Sequence, residues 1–248
     1  MKWKLPLALL CMVAVSNAAD TTLTLRFSDA APGMKLPPGW TPYALSSHVP
    51  LAQIALVRDG VDNVLRIRAD AATGAITHPL NLPAATTLSW RWKVDHAVAA
   101  ADLGRKDGDD FAARVYVFFD LPASALSFGE RFKLALTRSV LGVDLPRAAL
   151  CYVWDNRHPI GTIAPNAYYG GVRMIVLRSG DADAGRWQTQ RRDLAADFRA
   201  AFGRAAPRIT GVALASDTDN TRGHATAWFG DLVLTPSAAG ADAKASIR

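Results

Sequence analysis

Short apolar runs, each interrupted by glycine, proline, aspartate or asparagine, recur along most of the chain. They are rich in Val, Leu, Ile, Trp, Tyr and Phe, which favours strands over helices. The predicted strands are Leu23–Phe27, Ala55–Val57, Val64–Ala69, Leu88–Val94, Arg114–Phe119, Cys151–Trp154, Val172–Leu177, Arg186–Gln190, Gly211–Ser216 and Ala225–Leu234. Short strands at this spacing, without regular helices between them, predict an all-β fold: an antiparallel β-sandwich of the jelly-roll type.

Two helices interrupt this pattern and are expected to pack on the outside of the sandwich. Ser127–Glu130 has the sequence of a capping box, and an apolar stripe follows it until Gly142. A second helix is predicted over Leu194–Phe202, ending at Gly203. The tail from residue 236 to 248 is small and polar and is expected to be disordered.

The first 18 residues have the order of a signal peptide. A basic start, an apolar stretch from Leu5 to Val15 and small residues ending at Ala18 predict cleavage after Ala18. The stretch is shorter than the ~20 apolar residues of a membrane span, and no later segment is long and apolar enough. We therefore expect an exported protein, periplasmic or secreted, with a single sandwich domain over residues 19–235.

The charge distribution and the cysteine content bear on two questions: whether the protein binds nucleic acid, and whether a disulfide can stabilise it. Loss of the predicted signal removes Lys2 and Lys4 and lowers the net charge from +6 to +4. The remaining charges alternate in sign, so a nucleic acid is not an expected partner. Cys151 is then alone and is expected to be a small buried hydrophobe, so no internal disulfide can form.

Strand alternation sorts candidate binding residues into faces. In Leu88–Val94 the tryptophans share one side and Arg91 lies on the other; in Arg114–Phe119, Arg114 and Tyr116 share a side. A sheet face carrying Arg91, Arg114 and Tyr116 would suit a carboxylated or polyhydroxylated ligand, through planar donors and ring stacking. The alternative is surface ion pairing, for example of Arg114 with Asp109 or Asp110.

Two polar-aromatic blocks supply further candidates, Tyr152–Arg157 and Asp217–Thr221. Aromatic faces beside carboxylates and amides suit a polar, ring-shaped ligand, although the same residues also serve as turn chemistry. The candidate ligand-binding residues from these blocks are Trp154, Asp155, Asn156, Asp217, Asp219 and Asn220.

Two turns rich in side-chain oxygen atoms are candidates for binding calcium. The loop Asp107–Asp110 and the block Asp217–Asn220 offer carboxylate and carbonyl oxygens, which calcium prefers, but without the spacing of an EF-hand loop. For each cluster alone, turn chemistry is the favoured interpretation. The five histidines stand apart without the ligand spacing of a zinc site.

Catalytic motifs are absent in any strong form. The sequence has no Gly-x-Ser-x-Gly elbow, no phosphate-binding glycine loop and no His-Glu-x-x-His. Proton abstraction by Tyr116, Tyr152 or His158, with Arg91 or Arg114 neutralising a substrate carboxylate, would be the apparatus of a polysaccharide lyase.

An ordered set of sequence blocks resembles an exported bacterial family classed only as a domain of unknown function. The blocks include Pro37–Trp40, Leu88–Val94, Asp109–Asp110 followed by Arg114–Val117, Leu126–Arg131, Tyr152–Asn156, Gly161–Thr162, Asp217–Thr221 and Gly230–Asp231. The resemblance spans about Phe27 to Leu234 and implies no established activity.

The segment Ala225–Leu234 is also similar to the closing strand of galactose-binding-like jelly rolls, which include carbohydrate-binding modules. That likeness implies a structural calcium at Asp231, with Asp29 nearby. It is one strand long and supports the fold more than the function.

Three functional hypotheses follow from the sequence. The first is a non-catalytic module that binds a glycan or another polar component of the cell envelope. The second is an enzyme acting on an acidic polysaccharide by elimination. The third is a protein-interaction module with an apolar patch. The sequence leaves the ligand and the oligomeric state open.

Overall fold

The computed structural model describes residues 21–43, 49–126, 129 and 146–236. The predicted signal peptide, nearly all of the predicted helix after Ser127, and the tail after Pro236 lie outside these residues. Within the described residues the chain forms fourteen strands, one α-helix and two short 3-10 turns. None of the described helices is long and apolar enough to cross a membrane.

The described strands form two sheets of seven strands each. The first sheet consists of β1 (Leu23–Leu25), β3 (Gln53–Asp59), β4 (Asp62–Asp70), β6 (Thr86–Val94), β11 (Gln188–Asp193), β13 (His224–Phe229) and β14 (Leu232–Pro236). The second consists of β2 (Thr41–Tyr43), β5 (Thr73–Leu82), β7 (Phe111–Phe119), β8 (Ala148–Asp155), β9 (Ile163–Pro165), β10 (Val172–Ser179) and β12 (Ile209–Asp217). All pairs of named strands are antiparallel except β8 with β10.

In the first sheet, β13 and β14 follow one another along the same edge of β6. Trp228 lies opposite Lys93, and Val233 lies opposite Ser89, with the pairing shifted by one residue at Gly230–Asp231. The single predicted strand Ala225–Leu234 is therefore two strands joined by an irregularity. β4 pairs with β13 on the far side, and β11 pairs with the other edge of β6.

The core lies between the two sheets. Trp90 and Trp92 of β6 point inward and are 2% and 0% exposed. Trp90 packs against Tyr152 of β8, and Trp92 against Trp154, with ring centroids 5.4 and 5.9 Å apart. Contacts of this kind join the inward faces of both sheets, so the prediction of an all-β sandwich is confirmed.

The described α-helix, α1 (Leu194–Phe202), has the predicted bounds. The Asp193 carboxylate accepts hydrogen bonds from the first free amides of the helix, and Gly203 ends it with a φ of 68° in the left-handed region. The helix buries Phe198, whose ring lies 4.6 Å from that of Phe119. It therefore packs its apolar side on the core of the sandwich.

Candidate functional site

The outer face of the first sheet, which is the side pointing away from the core, carries a row of basic and aromatic side chains. Lys93 of β6 lies directly opposite Trp228 of β13, and Trp228 lies directly opposite Arg66 of β4. The Lys93 ammonium is 4.7 Å from the centre of the Trp228 ring. Two residues further along each strand, Thr226 lies opposite Arg68. Because side chains alternate along a strand, these residues share one face.

Two of the cations on this face are neutralised by an acidic turn. Asp59 and Asp62 close the two-residue turn between β3 and β4, where Gly60 has a φ of 62°. The Asp62 carboxylate accepts a hydrogen bond of 2.6 Å from Arg91, and both oxygens of Asp59 lie 2.8 Å from the Lys93 ammonium. The turn therefore reaches across the face and pairs with these cations.

Trp187, just before β11, completes this paired part of the outer face. Its indole N–H donates to Asp59, and its ring lies 4.6 Å from the Arg91 guanidinium carbon. The hydrogen bond from Lys93 lowers the pKa of Asp59 below its ordinary value, against the opposing effect of burial. Asp59 thus stays charged, and this end of the face is electrically balanced.

The opposite end of the face is open, and its two arginines have no ion-pair partner among the described residues. A cavity of about 290 Å³ is lined by Arg66, Arg68, Ala69, Asp95, His224, Ala225, Thr226 and Trp228. A second cavity of about 190 Å³ is lined by Pro50, Leu51, Gln53, Arg68, Asp70 and Ala72. Arg68 is common to both, so the cavities adjoin along β4.

Arg114, by contrast, is 1% exposed and bonds to other residues of the protein at the second sheet. Its Nε and Nη2 atoms donate to the two oxygens of Asp217 at 2.8 and 2.6 Å. Further donors reach Asp109 and the Tyr116 hydroxyl, and the guanidinium carbon lies 4.6 Å from the Phe111 ring centre. Since the protein supplies these acceptors, Arg114 is not available to a ligand in this arrangement.

The structure does not bring Arg91 and Arg114 together on one face. Arg91 lies in β6 of the first sheet and Arg114 in β7 of the second. Each points away from the core, so they lie on opposite sides of the sandwich. The predicted pairing of Arg114 with Asp109 is present, but it is buried rather than at the surface.

Burial and charge shift the pKa values in this Arg114 network. Burial opposes the charge on Arg114, but Asp109 and Asp217 outweigh it and raise its pKa. Burial raises the pKa of Asp217 to about 7, with Arg114 acting in the opposite direction. The pair is thus a desolvated ion pair whose two partners depend on each other.

Asp110, Asp217 and Asp219 place one carboxylate oxygen each within 4.8 Å of the others, a spacing that could hold a cation. Asp110, however, accepts hydrogen bonds from the amides of Asn220 and Thr221, and Asp217 is held by the guanidinium described above. Burial and the neighbouring Asp110 raise the pKa of Asp219. A cation would have to displace these bonds, so the geometry favours a hydrogen-bonded network.

Asn220 takes part in the same network, because its side chain donates to Asp110 and accepts from the Tyr168 hydroxyl at 2.7 Å. The block Asp217–Thr221 therefore ties the end of β12 to the start of β7. The hydrogen bonds that were expected to go to a ligand go to the protein.

The block Tyr152–Arg157 is also used internally. Trp154 is 1% exposed and donates to the carbonyl of Gly180. Asp155 is fully buried and accepts from the amides of Arg157 and His158 at 2.7 Å. The Asn156 amide donates to the carbonyls of Ala99 and Ala101. These bonds fix two loops at one end of the second sheet.

The Asp231 carboxylate is likewise occupied. It accepts hydrogen bonds from the amides of Phe27 and Ser28 at 2.7 and 3.0 Å and from the Ser28 hydroxyl at 2.6 Å. Asp29 instead lies 3.7 Å from Arg26 in an exposed ion pair. Donors therefore take the place that a calcium ion was expected to occupy at Asp231.

Two of the three side chains considered for proton abstraction, the tyrosines, are poorly suited to it. Burial raises the pKa of Tyr116 and of Tyr152 well above the ordinary value, and the Tyr152 hydroxyl donates to Asp197. His158 lies with its Nδ1 atom 3.1 Å from the Asp155 carboxylate. A base must reach its substrate and lose its proton near working pH, which favours neither tyrosine; the Asp155 contact is on Nδ1 and leaves Nε2 of His158 available.

The sequence analysis did not single out the principal residues of the open end of this face, namely Arg66, Arg68 and Trp228. Alternation within Val64–Ala69 does place both arginines on the polar side of that strand. It could not show that β13 would lie beside them, because strand neighbours are set by the fold.

The model of a family described as a protein of unknown function, DUF3047, matches residues 38–233. The chain belongs to this family. No curated protein matches the chain. The family match supports the predicted membership of a domain of unknown function, and it assigns no activity to the residues above.

Several solved structures are similar to the chain at low identity. The Emp47p carbohydrate recognition domain is 11% identical, with 89% of this chain and 96% of that chain covered and a TM-score of 0.44. A family 12 xyloglucanase from Bacillus licheniformis is 6% identical, with 88% and 100% covered and a TM-score of 0.44. The K1 adhesin domain of Lys-gingipain from Porphyromonas gingivalis W83 is 9% identical, with 88% and 99% covered and a TM-score of 0.40. At these scores the likenesses carry no argument about function.

Proposed function

We propose that the protein is an exported, non-catalytic module that binds a glycan of the cell envelope on the outer face of its first sheet. The observation that carries this proposal is the cavity beside Trp228, where an indole ring meets the planar donors of Arg66 and Arg68. Aromatic faces with fixed polar groups around them suit a sugar ring, which has apolar faces and a polar rim.

A binding screen with two variants tests this site against the second sheet. Immobilised glycans are presented to the purified protein, to Trp228→Ala and to Tyr168→Ala. We expect Trp228→Ala to weaken binding about 10-fold or more, because a central aromatic anchor is lost. Tyr168 is 52% exposed and contacts Asn220 on the other side of the sandwich, so its replacement should leave affinity unchanged. The reverse pattern would move the site to the second sheet.

Export is part of the proposal and has its own test. The protein recovered from the periplasm or the medium should begin at Ala19, because the predicted cleavage follows Ala18. Amino-terminal sequencing measures this directly. Recovery of the chain only from the cytoplasm, beginning at Met1, would contradict it.

A further inference from the structure

The cations on the outer face of the first sheet are unequally balanced. Arg91 and Lys93 are each held by a carboxylate of the β3–β4 turn. Arg66 and Arg68 have no ion-pair partner among the described residues, although they lie on the same face. The acidic turn therefore pairs with the cations at one end of the face, whereas at the other end Arg66 and Arg68 line the cavities with Asp95 and Asp70 without an ion pair to either.

Arg66 also has an unmet hydrogen-bonding need. Its Nε atom is buried and has no acceptor within the described part of the chain. A buried donor without a partner is costly, so such atoms in proteins usually meet an acceptor from water or a ligand. Arg66 is only partly exposed, and its strand neighbours Trp228 and Ala55 lie on either side of it.

Arg66 and Arg68 are alternate residues of β4, and their backbones are roughly 7 Å apart. Arg68 is exposed and lines both cavities, and Arg66 lines the first, so the two guanidinium groups lie along adjoining cavities. Two acidic side chains, Asp95 and Asp70, also line the cavities. Asp95 accepts hydrogen bonds from the amides of Thr226 and His96, and Asp70 lies at the far end of β4.

We propose that the glycan is acidic, with its carboxylate groups bound by Arg66 and Arg68 while a sugar ring packs on Trp228. This inference rests on the proposed function and specifies the class of ligand. A guanidinium offers two parallel N–H groups that match the two oxygens of a carboxylate, and a turn of the Arg66 side chain towards the cavity would give its Nε the acceptor that it lacks. A neutral glycan would leave both charges unpaired.

The probes are uronic acid oligosaccharides, built from galacturonate, glucuronate, mannuronate or guluronate, and the methyl ester of each. Esterification removes the charge and leaves the sugar backbone unchanged, so it isolates the carboxylate. Calorimetry on the purified full-length mature protein should show at least about 10-fold tighter binding of one acid than of its ester. Its affinity should fall as salt rises, since the paired charges become screened.

The matched variants are Arg66→Gln/Arg68→Gln and the control Arg199→Gln/Arg204→Gln. Both remove two positive charges, but Arg199 and Arg204 are exposed residues at and just beyond α1. We expect the first variant to lose the preference for acid over ester and the control to keep it. A third variant, Arg66→Lys/Arg68→Lys, keeps the charge but loses the paired donors, and we expect intermediate affinity. Circular dichroism confirms that each variant is folded.

Several results would overturn the inference. Equal binding of acid and ester, or tighter binding of neutral glycans, would leave the proposed function standing but show that the ligand is not acidic. If the protein bound only a heparin tetrasaccharide or a DNA oligonucleotide, the group recognised by the arginines would be another anion and not a carboxylate. An equal loss in the control variant would show a non-specific charge effect. Failure of every glycan, acidic or neutral, would reject the proposed function itself.

Discussion

Replacing Arg114 with Met tests the conclusion that this residue holds the second sheet together. The guanidinium is 1% exposed and pairs with Asp217 and Asp109, which are 7% and 8% exposed. Without it, two carboxylates remain buried with no cation to balance them. Breaking a buried pair in this way costs about 3–5 kcal/mol, so we expect the free energy of unfolding to fall by that amount at pH 8.

The penalty should depend on pH in a defined direction. Burial raises the pKa of Asp217 to about 7, and loss of Arg114 removes the group that opposes this shift. A carboxyl with a raised folded pKa holds its proton longer in the folded state, so stability falls as pH rises towards that pKa. In Arg114→Met the pKa of Asp217 is higher still, so the stability continues to fall up to a higher pH. The difference in the free energy of unfolding between Arg114→Met and the wild type should therefore be larger at pH 8.5 than at pH 6.

Urea unfolding followed by tryptophan fluorescence measures both effects. The control is Arg114→Met/Asp217→Leu, which removes both partners and should be less destabilised than Arg114→Met alone, because fewer unpaired charges remain buried. Two results would refute this role of Arg114. One is a fall in the free energy of unfolding of less than about 1 kcal/mol in Arg114→Met. The other is a fall in the double variant that equals the sum of those in Arg114→Met and Asp217→Leu. Arg114 would then be free to serve a ligand.

Three further predictions follow from the structure. Cys151 is fully buried and burial raises its pKa to about 12, so iodoacetamide at pH 8 should label it only in denaturant; rapid labelling of the native protein would contradict its position. Asp193→Ala removes the cap of α1 and should cost about 1 kcal/mol in urea unfolding, whereas an unchanged midpoint would show that the cap contributes nothing. Asp231→Ala removes three hydrogen bonds and should cost about 2 kcal/mol, while EDTA should leave the wild-type Tm unchanged; a Tm lowered by EDTA would restore the calcium hypothesis.

Local patterns predicted the fold well where one face of an element is buried. Alternation in Leu88–Val94 put Trp90 and Trp92 on the same side of the strand, and the structure buries that side in the core, because a strand buried on one face must alternate. The bounds of α1 were also predicted, since Gly203 supplies the positive φ that ends a helix. In both cases the information is contained within a few consecutive residues.

Strand β5 (Thr73–Leu82) was missed because its sequence contains Gly74, Pro79 and Asn81, which usually mark turns. The structure accommodates Pro79 where the pairing of β5 with β12 shifts, at Gly211. That irregularity depends on the partner strand. It could not be predicted from β5 alone.

The candidate site was hardest to predict because it is built across strands. Arg91 and Arg114 lie on consecutive long strands, β6 and β7, yet these belong to opposite sheets. Arg66 and Trp228 are far apart in sequence and directly opposite in the fold. Alternation assigns a side chain to a face of its own strand, but pairing decides which side chains share that face. The polar-aromatic blocks were predicted to bind a ligand because of their hydrogen-bonding groups, but the protein uses those groups to bond its own loops.

The most direct test of the central claim is the position of the ligand on the protein. Backbone amide shifts are recorded by NMR while the tightest-binding oligosaccharide of the screen is added. We expect the largest changes within Arg66–Ala69 and His224–Trp228, the two segments that contribute most of the residues lining the larger cavity. Changes concentrated instead on Asp109–Arg114 and Asp217–Asn220 would contradict it and place the site on the second sheet.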